Sequence, residues 1–139
     1  DSIDAIIQAS KNENILINCS RTIFPMEKDA MRWANYIGNR CFAILLSMII
    51  NNSVSDSLCG TKVFSRKFYN LMKDNESWES KIDPFGDFTI IFEAAKNDIK
   101  ILNYPVRYYA RKSGSPNISR WIDGLKLLKV CWVYLISEI

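Results

Sequence analysis

The chain has 139 residues, 48% hydrophobic and 24% charged, the balance of one folded domain and not of a disordered segment. It holds no histidine and four cysteines, none in a CxxC pair, which excludes Ser-His-Asp and Cys-His catalysis within the chain and argues against a structural zinc site. The net charge of +3 is uneven: residues 99–139 carry seven basic and two acidic residues, so the C-terminal third is the expected surface for phosphate or anionic lipid.

In chain order, Ser2 to Ala9 sets Ile3, Ile6 and Ile7 on one helical face, and Asn14 to Cys19 (NILINC) reads as a short buried strand. Arg32 to Ile50 is a long helix, amphipathic at first and apolar almost all round from Cys41 onward. Such a helix is buried, or it lies on a lipid surface or a partner. Val54 to Ser65 (VSDSLCGTKVFS) reads as a strand broken at Cys59-Gly60, where the glycine allows a bulge or a close backbone approach. A short helix follows from Arg66 to Met72, then a polar loop over Lys73 to Lys81. A helix is predicted from about Phe88 to Asn97, and an edge or kinked strand over Ile99 to Tyr109, where Pro105 interrupts. A basic Gly/Pro/Ser loop leads into a final amphipathic helix, Ile118 to Ile139, with Ile122, Leu125, Leu128, Trp132 and Leu135 along one stripe. The alternation of helices and strands predicts an α/β fold. No run reaches about 18 uninterrupted apolar residues, the length of a membrane span. The chain opens on Asp1 without a charged leader and reads as a portion of a longer protein.

Three stretches could carry chemistry. In DPFGDF (83–88), Asp87 stands at the expected N-cap of the next helix. It is either an ordinary cap or a carboxylate held there by the helix dipole to act as a general base. In DSLCGTK (56–62), Asp56, Gly60 and Lys62 either line a pocket or belong to a bulged strand with surface charges. The phosphate-loop spacing is absent. In the basic loop, Arg111, Ser115 and Asn117 sit among further cations and hydroxyls. It either folds over a phosphate or is a solvated charge cluster. Tyr108, Tyr109 and Trp121 interleave with these cations as in single-strand binders, yet no nucleic-acid motif is present and nucleic acid is not an expected partner. Arg21, directly after the first strand, suits a phosphate or a surface ion pair.

Taken in order, NCSR (18–21), AMRWANYIGNRCF (30–42), DSLCGTKVFSRKFY (56–69), DPFGDFTIIFEAAK (83–96) and IKILNYPVRYYARKSGSPNISRW (99–121) resemble family 2 glycosyltransferases. These are inverting nucleotide-sugar enzymes of GT-A fold, and the likeness is to the polyprenyl-phosphate sugar transferases. The resemblance covers most of the chain but only the C-terminal, acceptor-side portion of such a catalytic domain. It therefore implies a single partial domain over residues 1–139, a mixed sheet flanked by helices and a long amphipathic C-terminal helix. It further implies that this portion alone is inactive.

By resemblance, Asp87 is the base that deprotonates the acceptor, and Thr89 departs from relatives that carry an acid there. Arg21 lies near the donor phosphates, with Cys19 replacing the usual glycine. Asp56 and Gly60 line the acceptor or sugar pocket, and Arg111, Ser115 and Asn117 close over a phosphate. A divalent metal (Mg or Mn) is implied for the complete enzyme, held by an Asp-x-Asp motif that is absent from this chain. The implied partners are a nucleotide-sugar and a lipid-phosphate or glycan acceptor. Peripheral contact with the inner face of the membrane from the cytoplasm is also implied, through the helices over 32–50 and 118–139, with Trp33, Tyr36, Trp121, Trp132 and Tyr134 beside Lys126 and Lys129. A half-sheet with an open edge also favours homo-oligomerisation. The alternative is a non-catalytic interaction or membrane-association module.

Overall fold

The computed structural model describes residues 14–28, 30–74, 81–110 and 120–137, with isolated positions 4, 7 and 11. The expected helix over 2–9 lies largely outside the described residues, as do positions 75–80 of the polar loop and 111–119 of the basic loop.

The described chain is mixed α/β, with a three-stranded sheet and four helices. Strand β1 spans Ile15–Ser20, helix α1 Trp33–Ile49, strand β2 Lys62–Val63 and helix α2 Arg66–Asp74. Helix α3 spans Asp87–Lys96, strand β3 Lys100–Pro105 and helix α4 Arg120–Ser137. The sheet order is β2-β1-β3. The isoleucine-rich β1 takes the centre and is buried from Leu16 to Ser20, which is why it reads as a nearly continuous apolar run. β3 runs parallel to it from Ile15↔Lys100 to Ser20↔Pro105. Pro105 falls at the end of this edge strand, where the missing N–H costs least, and Val106 N still donates to Ser20 O.

One core cluster joins the helices to the sheet. Phe88 meets Phe42 and Phe92 edge-on, at ring separations of 5.5 and 6.3 Å, and Phe92 stacks on Tyr134 at 4.0 Å. α1, α3 and α4 thus converge on two adjacent turns of α3. Such aromatic pairs contribute roughly 0.5–1.5 kcal/mol each beyond the area they bury.

Two expectations are corrected here. The segment from Val54 to Ser65 is not one strand, since only Lys62–Val63 pairs, antiparallel to β1. Side chains instead satisfy the backbone of residues 53–58. Ser47 Oγ accepts from Val54 N, Asn103 Oδ1 from Ser55 N, and Asn39 Oδ1 from Ser57 N and Leu58 N. Gly60 makes no close approach: it is exposed, and a Cβ there would meet nothing within 4 Å.

On α4, the stripe Ile122, Leu125, Leu128, Trp132 and Leu135 faces outward, while Leu127, Val130, Cys131 and Tyr134 enter the core. The helix is apolar on nearly every side, so its spacing could not choose the inner face. Tyr134, expected at a membrane surface, is buried against Phe92. Among the described residues no helix is long and apolar enough to cross a membrane.

Candidate functional site

Two ion pairs organise the end of the sheet where β1 runs out. Asp56 is fully buried. Arg21 grips it with two side-chain bonds, Nε to Oδ2 at 2.8 Å and Nη2 to Oδ1 at 2.9 Å, and its backbone N donates to Oδ2 at 3.0 Å. Asn39 Nδ2, from α1, donates to Oδ1 at 2.8 Å, and Leu58 N donates to the same oxygen at 3.2 Å. Burial alone would raise the Asp56 carboxyl, but the hydrogen bonds and charge of Arg21, helped by Asn39, outweigh it and hold it below its usual range. Burial alone would lower the Arg21 guanidinium, and Asp56 reverses that and pushes it up. The outer face of the guanidinium lies over the Tyr108 ring, 5.1 Å from its centroid.

Asn39 is the joint of this network. Its Oδ1 accepts from Ser57 Oγ at 2.6 Å as well as from the backbone of 57 and 58, so α1 holds the loop that presents Asp56. On the sheet side, Asn18 Nδ2 donates to Asp56 O at 3.0 Å and to Asn103 Oδ1 at 3.3 Å. Turning that amide over would set an oxygen against two acceptors, so its orientation is settled, and Asn18 Oδ1 stays buried with no hydrogen-bond partner among the described residues.

The second pair is Lys62 with Asp87. Lys62 Nζ donates to Asp87 Oδ1 at 2.5 Å and to Cys59 O at 2.7 Å. The lysine side chain is only 2% exposed and the aspartate 13%, so the pair is largely shielded from water and Lys62 fixes the carboxylate's position. Cys59 links the pairs: it follows Asp56 by three residues, gives its carbonyl to Lys62 and packs with Cys19 of β1. Burial pushes both thiols up, and that of Cys131 to about 12, so these three are poor nucleophiles. Cys41 is exposed.

Asp87 is not the N-cap of α3, contrary to expectation. The cap position is Gly86, at φ 75°, a left-handed conformation that a side chain would strain by roughly 1–2 kcal/mol. Asp83 does the capping: its Oδ2 accepts from Thr89 N at 2.9 Å and Thr89 Oγ1 at 3.0 Å, and its Oδ1 from Phe85 N. The turn therefore uses its two aspartates differently. Asp83 closes the helix end, while Asp87, in the first turn and favoured there by the helix dipole, is turned toward Lys62. Thr89, which stands where an acid was expected, is the partner of that cap.

Of the expected site residues, the structure brings Arg21 and Asp56 into contact and joins Asp87 to the same region through Lys62 and Cys59. It leaves Gly60 exposed beside them. Arg111, Ser115 and Asn117 lie outside the described residues. Sequence reading missed Asn39, Asn18 and Asn103 as organising residues. Their one signal was an asparagine inside an otherwise apolar strand or helix.

Beside Arg21 an open apolar cleft runs between the loop over 22–31 and the start of α1, with Phe24, Met26, Met31, Trp33 and Ile37 among its walls. Glu27 ties that loop to the chain after β3, its N donating to Tyr108 O and its Oε2 accepting from Ala110 N. Among the described residues no three of His, Cys, Asp and Glu gather, and Asp56 and Asp87 are each engaged by a cation. The chain matches no protein-family model, no curated protein and no solved structure.

Proposed function

We propose that this chain is the acceptor-side part of an inverting family 2 glycosyltransferase of GT-A fold, in which Asp87 is the base for an acceptor hydroxyl. One observation carries the reading. Arg21, Asp56 with Lys62, and Asp87 come from three stretches of the resemblance and form two linked ion pairs at one end of the sheet. In the second pair only Oδ1 of Asp87 is taken by Lys62, which leaves Oδ2 as the oxygen that can receive a proton.

The chemistry needs little else from this part. The acceptor oxygen attacks the anomeric carbon of the donor sugar, the bond from that carbon to the nucleoside diphosphate breaks, and the acceptor proton passes to Asp87. The pair with Lys62 holds the carboxylate in one place, which is what positioning requires. Asp56 has no such part. With five donors on its two oxygens it is a support that sets Arg21 and the loop over 53–58. A glycan hydroxyl is the acceptor that makes use of a base. The already ionised oxygen of polyprenyl phosphate has no proton for it to remove.

The test is an assay of the complete enzyme that contains this chain. Labelled nucleotide-sugars are offered with hydroxyl-bearing glycan acceptors and, separately, with polyprenyl phosphate. Label is expected to pass to the glycan. Label on polyprenyl phosphate alone, or on neither acceptor, would overturn the proposal.

A further inference from the structure

The four cysteines keep different company. Cys41 is exposed, and Cys131 lies in the core among the helices. Cys19 and Cys59, 1% and 3% exposed, pack together in a second cluster with Ile17. Successive strand residues point to opposite faces. Leu16 enters the core that the helices form, so Ile17 and Cys19 face the other side of the sheet. No step of sugar transfer uses either thiol.

The strand register sets how the two cysteines meet. β1 pairs with β2 at Ile17↔Val63 and Asn18↔Lys62, and Cys19 N extends the ladder to Thr61 O at 3.2 Å. Cys59, two residues before Thr61, is thus the diagonal neighbour of Cys19 on one face of the sheet. Diagonal neighbours have their Cα atoms about 7–8 Å apart, and a disulfide needs about 5.5–6 Å. Joining the two sulfurs therefore draws residue 59 toward β1. The chain can yield there, because Gly60 is exposed and has open space about its Cα.

That movement reaches Lys62. The carbonyl of Cys59 accepts from Lys62 Nζ at 2.7 Å, and the same ammonium holds Asp87 Oδ1. Drawing residue 59 toward β1 takes one of these two acceptors away from a side chain that is otherwise shut off from water.

We infer that Cys19 and Cys59 are a redox-modification site, a dithiol that peroxide closes to a disulfide and that thereby loosens Lys62 from its place beside Asp87. The sulfur of Cys59, on the loop, attacks one oxygen of hydrogen peroxide. The O–O bond breaks, Cys59 becomes a sulfenic acid, and the other oxygen leaves as water with the thiol proton. The sulfur of Cys19 then attacks that of Cys59, and the hydroxyl leaves with the Cys19 proton as a second water. Two thiols lose two electrons and one peroxide gains them. A neighbouring thiol captures the sulfenic acid before further oxidation. Burial pushes both thiols up, and the Lys62 ammonium pulls them partly back, so closure is slow and proceeds as the loop opens. The bond itself is independent of sugar transfer; its effect on turnover rests on Asp87 being the base.

The experiment treats the reduced full chain with hydrogen peroxide, blocks the remaining thiols with iodoacetamide and maps the peptides by mass spectrometry. A Cys19–Cys59 linkage that dithiothreitol reverses is expected, with Cys131 still free. Cys19→Ala should give no linkage and should leave a sulfenic acid at Cys59 that dimedone labels. Acetylation of Lys62 by acetic anhydride should rise about 5-fold on oxidation, the worth of one lost hydrogen bond, and should stay low in oxidised Cys59→Ala, which keeps the carbonyl. In the complete enzyme, oxidation should lower kcat by a similar factor. Persistence of all four thiols overturns the inference, as does oxidation confined to the exposed Cys41 or a linkage that leaves Lys62 unreactive. A reduced complete enzyme that transfers no sugar would refute the assignment of Asp87, while the linkage and the Lys62 labelling still decide this inference.

Discussion

Replacing Asp56 by alanine is expected to destabilise the fold by about 3–5 kcal/mol, the usual cost of removing one partner of a buried ion pair. The change leaves Arg21 largely buried without its counter-charge, and it strips an acceptor from Asn39 Nδ2 and Leu58 N. In thermal unfolding this should lower Tm by roughly 10–20 °C for a domain of this size. Arg21→Ala should add little in the Asp56→Ala background, because the two side chains act as one unit. Asp56 also sets the acid limb. Its folded carboxyl is held below the ordinary value, so between the folded and unfolded values the unfolded chain binds more protons. Its contribution is fully present above about pH 4 and is lost as pH falls through the folded value. The wild type should lose stability in that window, and Asp56→Ala should flatten the loss. An alanine variant within about 1 kcal/mol of wild type would contradict a supporting role.

Asp87→Asn is expected to act on turnover instead. The amide is nearly the same shape but cannot take the acceptor proton, so kcat of the complete enzyme should fall by about 10²–10⁴, the range for loss of a general base, with donor binding nearly unchanged. The same change removes the anion beside the buried Lys62, so a moderate loss of stability accompanies it. The two effects separate in Lys62→Met. That variant also breaks the pair, and it should lower kcat much less because the carboxylate remains. If Asp87→Asn and Lys62→Met reduce kcat equally, the pair is a structural tie between β2 and α3.

The regular elements were legible because their period is local. β1 was expected over Asn14 to Cys19 and spans Ile15–Ser20. α1 was expected from Arg32 to Ile50 and spans Trp33–Ile49. α3 begins one residue before its expected start. Three things were not legible, each for a physical reason. The loop over 53–58 was expected as part of a strand, but its backbone partners are Asn39, Ser47 and Asn103, as many as 48 residues away. The inner face of α4 was hidden by apolar residues on all sides. The cap of α3 was assigned to Asp87 in place of Asp83 because local pattern cannot tell which carboxylate reaches the free N–H groups. Gly86 in the left-handed conformation decides that. For the site, Arg21 and Asp56 were each singled out for a ligand, while their contact spans 35 residues and has no local signature.

The most direct measurement on the central claim is the anomeric configuration of the product made by the complete enzyme, followed by NMR from the first turnovers. Of Asp56, Asp83 and Asp87, only Asp87 has an oxygen left for chemistry among the described residues, since Asp56 is buried and saturated and Asp83 caps α3. One base supports a single displacement, so the product should carry the inverted configuration relative to the donor. A product of retained configuration cannot come from a single displacement at the opposite face, and would contradict the account.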